Sequence, residues 1–142
     1  MPPYRIALIC SRFNSEITDR MMEAAVSRCT ERGAEIAFKC RVPGAFDIPP
    51  VASMLVRRGD IDGAVALGAI IRGETSHDVT IAQALAIALS HLSVETGKPV
   101  ALGVSGPGMT WEQASTRAEE YATRGVDAVL DTLSTLEQIR GE

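Results

Sequence analysis

The spacing of apolar positions changes several times along the chain, and each change predicts an element. "YRIALICS" (4–11) is a short, dense apolar run with the composition of a strand. From residue 15 to 32 the spacing becomes helical, with Ile17, Met21, Ala25 and Cys29 on one face and Gly33 as the stop. "EIAFKCRV" (35–42) alternates and reads as a second strand. "DIPPVASMLVRRG" (47–59) opens with prolines that suit a helix's first turn, then sets Val51, Ala52, Leu55 and Val56 on one side. "GAVALGAII" (63–71) is apolar without a break, as a strand covered on both faces should be. Residues 79–96 read as a helix and "KPVALGVS" (98–105) as a fourth strand. "TWEQ" (110–113) fits a capping box, with Thr110 as N-cap and Gln113 reaching back. A last helix, 126–139, carries Val126, Val129, Leu130, Leu133 and Leu136.

The resulting order is βαβαβαβα with a further helix at the end. Strands that alternate with helices imply a parallel sheet, right-handed crossovers and helices on both faces. The prediction is one three-layer α/β/α domain over residues 1–142, with a four-stranded parallel flavodoxin-like sheet. In such sheets ligands bind beyond the carboxyl ends of the strands. Four loops leave those ends: "SRFNSE", "VPGAFD", "RGETSHD" and "SGPGMT". They gather Phe13, Phe46, Asp47 and His77, whereas "RGAE", "RRGDID" and "ETGKP" on the opposite edge are ordinary polar turns.

Composition narrows the partners. A net charge of −4 argues against a nucleic-acid surface. No unbroken apolar run reaches membrane-spanning length, and the N-terminus lacks the apolar core of a signal peptide, so no membrane association is expected. Cys10, Cys29 and Cys40 are odd in number and form no C-x-x-C, which reads as reduced thiols in a cytoplasmic protein. His77 and His91 have no ligand spacing to them, so no metal site is predicted.

The loops carry the candidate chemistry. "RGETSHD" precedes a helix start, where free N–H groups and the helix dipole favour an anion, and His77 there is a candidate acid and base. The plainer alternative is that Ser76 or Asp78 caps the helix and His77 is solvated; a phosphate site without a catalytic histidine is a third reading. Phe13 is either a stacking platform for a flat ring or a lid on the core, with Asn14 or Ser15 as helix cap. Asp47 is either an acceptor for hydroxyls or an N-cap before Pro49. "SGPGMT" lacks the lysine of a P-loop, and Arg117 is either a phosphate fork or a solvated charge. The helix "IAQALAIALSHL" is apolar nearly all round, with small residues at 82, 84, 86 and 88, which predicts either a second subunit that covers it or a larger-than-usual internal contact.

Taken in order, "SRFN", "VPGAFDIP", "LGAIIRGETSHD", "PVALGVSGPGMT" and "EQASTRA" resemble the lumazine synthases of riboflavin biosynthesis, most of all their archaeal branch. The resemblance implies a cofactor-independent transferase that condenses 5-amino-6-ribitylaminouracil with 3,4-dihydroxy-2-butanone 4-phosphate. It implies that Phe13 stacks on the pyrimidine, that Ala45, Phe46 and Asp47 hold the ring and ribityl chain, and that Ile70 and Ile71 bring backbone to the ring's polar edge. Gly73, Glu74 and Thr75 would bind the phosphate together with Arg117, and His77 would move protons. It also implies a homo-oligomer: a pentamer with sites shared between subunits, and a possible shell of about sixty subunits. The short connection "ATRG" between the last two helices favours that shell by analogy.

The chain departs from the family pattern at several points. Leu102 stands where bacterial members carry an aromatic, Asp47 stands for the usual Glu, and Arg124 best matches a family lysine in the last inter-helix loop. Two rival readings use the same scaffold: an archaeal-type riboflavin synthase, and a non-enzymatic flavin or lumazine carrier. His77 with Arg117 favours the synthase, since a carrier needs no phosphate site.

Overall fold

A computed structural model describes residues 2–141. Its elements run β1 (Arg5–Ser11), α1 (Ser15–Glu31), β2 (Glu35–Val42), a 3-10 turn (Ala45–Asp47), α2 (Ile48–Val56), β3 (Gly63–Ile71), α3 (His77–Thr96), β4 (Val100–Met109), α4 (Trp111–Thr116) and α5 (Ala118–Gly141). The four strands form one parallel sheet in the order β2-β1-β3-β4. This is the predicted three-layer α/β/α, flavodoxin-like arrangement.

The sheet explains the two kinds of strand pattern. Central β3 is buried along nearly its whole length, and β1 beside it likewise, so both read as continuous apolar runs. Edge strands β2 and β4 are more open: β2 is buried only at Val42, and β4 is buried at Ala101 and Gly103–Ser105 but opens toward Met109. One face packs Ile6, Leu8 and Leu67 against the Ile17–Met21–Ala25–Cys29 stripe of α1 and against Val126, Val129 and Leu130 of α5. The other packs Ile9, Ala64 and Ala66 against Ala52 and Val56 of α2 and Leu85, Leu89 and Leu92 of α3. Burying one such leucine stabilises the fold by roughly 1.5–3 kcal/mol. Helix α5 lies so close to the sheet that a Cβ on Gly125 would meet Val65 Cγ1 at 2.9 Å and Gly103 Cα at 3.1 Å.

Three boundaries differ from the sequence reading. Helix α3 begins at His77, not residue 79. Strand β4 runs to Met109, because "SGPGM" continues pairing with β3 through an irregular register between Ala69 and Ile71. The chain after β4 folds as a short α4 and a long α5 that break at Arg117, with the predicted Thr110–Gln113 capping box at the start of α4. "ATRG" therefore lies inside α5, and the last two helices meet directly at Arg117, with no insert between them. Arg124 is likewise a helical residue, paired with Glu120 at 3.2 Å, not a loop cation. The elbow at Arg117 is fixed by Arg20 of α1, which donates to the Ser115 carbonyl at 2.7 Å and to Glu119 Oε1 at 2.8 Å.

Helix α3 also qualifies the membrane expectation. Its 20 residues are long and apolar enough to cross a bilayer by length and composition alone. The helix instead covers the sheet with Leu85, Leu89 and Leu92, while Ile87 and Val94 stay exposed at 59% and 83%. One stripe of its apolar surface is thus accounted for by the core and another is not.

Candidate functional site

A cleft of about 640 Å³ opens at the carboxyl ends of β1 and β3, the point where the strand order reverses. Its lining includes Phe13, Ala45, Phe46, Ile70, Ile71, Gly73, Thr75 and His77, eight of the predicted residues. The two phenylalanines reach it from different loops and are unusually exposed, Phe13 at 61% and Phe46 at 64%. Phe13 is therefore no lid on the core.

Each loop has a local reason for its shape. Asn14 takes a left-handed conformation with φ 64°, which Asn tolerates better than most residues. Its side chain does not cap α1; the amide nitrogen donates to the Ala69 carbonyl at 2.9 Å, tying the Phe13 loop to the end of β3. After β2, the Asp47 carboxylate accepts from the Gly44 amide at 3.0 Å and closes the turn that displays Phe46. Asp47 stands at the N-cap position of α2 without a side-chain cap bond there, and Pro49 and Pro50 follow in the first turn.

The segment 72–77 is exposed throughout. Ser76 occupies the N-cap position of α3 without a side-chain bond to the helix, and the His77 amide donates to Thr75 Oγ1 at 3.3 Å. The expectation that Ser76 or Asp78 caps this helix is not met. Asp78 instead turns away and accepts from the Gly108 amide at 2.9 Å, and it is buried. A twenty-residue helix thus points an N-terminus without a side-chain cap at the cleft, the arrangement that favours an anion.

Four predicted residues do not line this cleft. Asp47 sits just behind Phe46, and Glu74 is exposed on the turn. Leu102 lies on edge strand β4, paired with Ala66 and 47% exposed. Arg117 is exposed at the α4–α5 elbow. Ser11, Asn14, Arg72, Asp78 and Ile81, none of them given a ligand-binding role by the sequence reading, also line it. The topology itself could have found Ser11, as the last residue of a central strand. Among the described residues no group of His, Cys, Asp and Glu is disposed to hold a metal ion.

A second concavity of about 780 Å³ lies at the opposite edge of the sheet, beside Tyr4, Arg5, Lys98 and Arg140. Several of its polar groups are already engaged within the fold: Arg5 with Asp62 at 3.1 Å, Tyr4 with Glu137, and Arg140 on the Gly97 carbonyl. The candidate site is the cleft at the edge with Phe13, Phe46 and His77.

Fold and cleft together define a doubly wound α/β protein with two aromatic side chains beside an anion-favouring helix start. The family model for 6,7-dimethyl-8-ribityllumazine synthase matches residues 3–140, and the chain belongs to that family. It is 44% identical to the 6,7-dimethyl-8-ribityllumazine synthase of Methanopyrus kandleri over the whole of both chains. It is 46% identical to that of Staphylothermus marinus, over 88% of this chain and 83% of the relative. With the enzyme of Sulfolobus acidocaldarius it shares 41% identity, over 95% of this chain and 85% of the relative.

Proposed function

We propose that this chain makes 6,7-dimethyl-8-ribityllumazine from 5-amino-6-ribitylaminouracil and 3,4-dihydroxy-2-butanone 4-phosphate, in a cleft that a neighbouring subunit completes. The observation that carries the reading is the meeting of Phe13 and Phe46 with the start of α3 in one cleft. One substrate is a flat ring and the other a phosphate ester, and those features match them in turn.

Phe13 stacks on the pyrimidine, a flat ring on an exposed flat ring. Ala45 and Phe46 wall the ring and ribityl chain. Asp47 uses one oxygen on Gly44 and has the other for a ribityl hydroxyl. Ile70 and Ile71, at the end of β3, present backbone to the polar edge of the pyrimidine. Gly73, Glu74 and Thr75 offer amide N–H groups to the phosphate, where the dipole of α3 adds to the attraction. Arg117, from the neighbour, supplies a two-pronged guanidinium suited to a phosphate dianion. Leu102 comes from the same neighbour and covers the ring.

The chemistry asks for placement and proton movement. The 5-amino group adds to the butanone carbonyl, and loss of water gives an imine. A proton leaves C3 as phosphate leaves C4, and tautomerisation turns C4 into a methyl group. The ribitylamino nitrogen then closes on the C3 carbonyl and a second water departs. Each step moves a proton to or from carbon, nitrogen or oxygen, and His77 at the mouth of the phosphate turn is the group that carries it. General acid–base help of this kind contributes roughly 10²–10⁴-fold. Holding both substrates in register supplies much of the remainder. No cofactor or metal enters the scheme. The reaction is assigned to the cytoplasm, where the three free cysteines stay reduced.

The assembly is a ring, with a pentamer as the unit. Support comes from Val79, Ile87 and Val94 exposed along α3, and from Leu102 and Arg117 standing outside their own cleft. A closed ring buries such a face symmetrically. A larger shell of pentamers is the further level of assembly that the direct α4–α5 junction at Arg117, free of an insert, supports by analogy.

Mixed oligomers test this reading. His77→Ala and Arg117→Ala chains, each impaired alone, are co-assembled in equal amounts. If the two residues of a site come from different subunits, about one site in four regains both. Activity that stays at the level of the separate variants would place both residues in one subunit.

A further inference from the structure

We infer that Asp78 is a positioning residue: its carboxylate, held on the Gly108 amide, clamps the start of α3 to the glycine-rich end of β4 and so sets the phosphate turn and His77. The inference rests on the reading above that this turn receives the phosphate and that His77 moves protons.

The turn has few bonds of its own. Residues 72–77 are all exposed, and within them only His77 N to Thr75 Oγ1 at 3.3 Å joins one part to another. Its two ends, however, are tied to consecutive residues of β4. At the start, the Arg72 amide donates to the Met109 carbonyl at 2.7 Å. At the finish, Asp78 Oδ2 accepts from Gly108 N at 2.9 Å. A carboxylate in the first turn of a helix ordinarily stays in water or bonds the helix's own N–H groups. Asp78 does neither and is only 6% exposed. Charged groups are buried in this way when a partner holds them.

The β4 side of the clamp is equally constrained. Gly108 adopts φ +77°, a conformation that L side chains rarely take. Gly106 packs onto Ile70 with no space for a Cβ. The bulged end of β4 is therefore a fixed rail, and the phosphate turn hangs from it at both ends. Without the Asp78 bond the turn keeps one anchor, at Arg72, and the end that carries His77 is released.

The test is steady-state kinetics of lumazine formation for Asp78→Ala and Asp78→Asn beside the wild-type chain, with KM measured for each substrate. Asparagine keeps an oxygen that can accept from Gly108 and drops the charge; alanine drops both. The Ala variant should lose tenfold or so in kcat/KM for the butanone phosphate, the size of a lost buried hydrogen bond to a charged group. Its KM for the pyrimidine should stay close to wild type, and the Asn variant should recover most of the loss. An Asn variant as impaired as Ala, an Ala variant at wild-type rates, or equal KM rises for both substrates would overturn the inference. If the Ala variant does not fold, hydrogen exchange decides: the Gly108 amide should be protected in wild type and Asn variant, and fast exchange there contradicts the clamp. Wild-type protein that made no lumazine would remove the functional reading instead, and the exchange result would still report on the clamp.

Discussion

Gly106→Ala separates the two demands that the end of β4 makes on its sequence. The position has φ +96°, which costs an L residue about 1–2 kcal/mol. An added Cβ would also stand 2.2 Å from the Ile70 carbonyl oxygen, far inside contact distance and against backbone that cannot swing away. Forcing an extra carbon into a packed site costs typically 1–3 kcal/mol. The two together predict a loss of about 2–5 kcal/mol, or roughly 5–20 °C in Tm for a chain of this size. Gly33→Ala is the matched control: its φ is +73°, and nothing lies within 4 Å of the added carbon. It should lose only the conformational part, about 1 kcal/mol. Both variants are melted beside wild type at one protein concentration, since assembly makes Tm concentration-dependent. Because Ile70 lines the cleft, Gly106→Ala should also weaken pyrimidine binding, while Gly33→Ala should not. Equal Tm losses would refute the close contact, and a normal pyrimidine KM in Gly106→Ala would detach Ile70 from the ring site.

Three further outcomes follow from the site and the core. His77→Ala should lower kcat by roughly 10²–10⁴-fold with both KM values near wild type, since proton transfer is its assigned role; unchanged kcat would return His77 to a solvated helix start. Arg117→Ala should raise KM for the butanone phosphate far more than for the pyrimidine, measured on protein shown to keep its assembly; equal rises would point to a packing defect at the elbow. Burial holds the Cys29 thiol at a pKa of about 11, above its ordinary 9.0. The unfolded chain therefore loses this proton first, and stability should fall as pH rises from about 9 to about 11, with a smaller slope in Cys29→Ala after correction for its cavity. An identical slope in that variant would assign the loss elsewhere.

What the sequence disclosed, and what it hid, divides along physical lines. The stripe Ile17–Met21–Ala25–Cys29 and the run Gly63–Ile71 were legible because burial on one face or on both imposes a period on the residues themselves. The anion-favouring helix start was legible from "RGETSHD", which joins a buried strand to an apolar helix. The continuation of β4 to Met109 was hidden, since a strand made of Ser, Gly and Pro has no apolar period. Its pairing is set by β3 across the sheet, with the extra residues bulged on β4. Asp78 was hidden for the same reason: beside His77 it reads as a cap, and only the fold brings Gly108 to it. The break at Arg117 has no glycine or proline to announce it; Arg20, some hundred positions away in sequence, holds it. Leu102 and Arg117 are exposed in the single chain, and their assigned role depends on a neighbour that no local pattern specifies.

One measurement bears on the central claim most directly. Purified, EDTA-treated protein is mixed with 5-amino-6-ribitylaminouracil and 3,4-dihydroxy-2-butanone 4-phosphate, and lumazine fluorescence and released phosphate are followed together. The account predicts lumazine and phosphate in equal amounts, above the uncatalysed rate and without added metal or cofactor. Protein that binds lumazine without forming it, that converts it to riboflavin, or that forms it only when Mg²⁺ is restored would contradict the account.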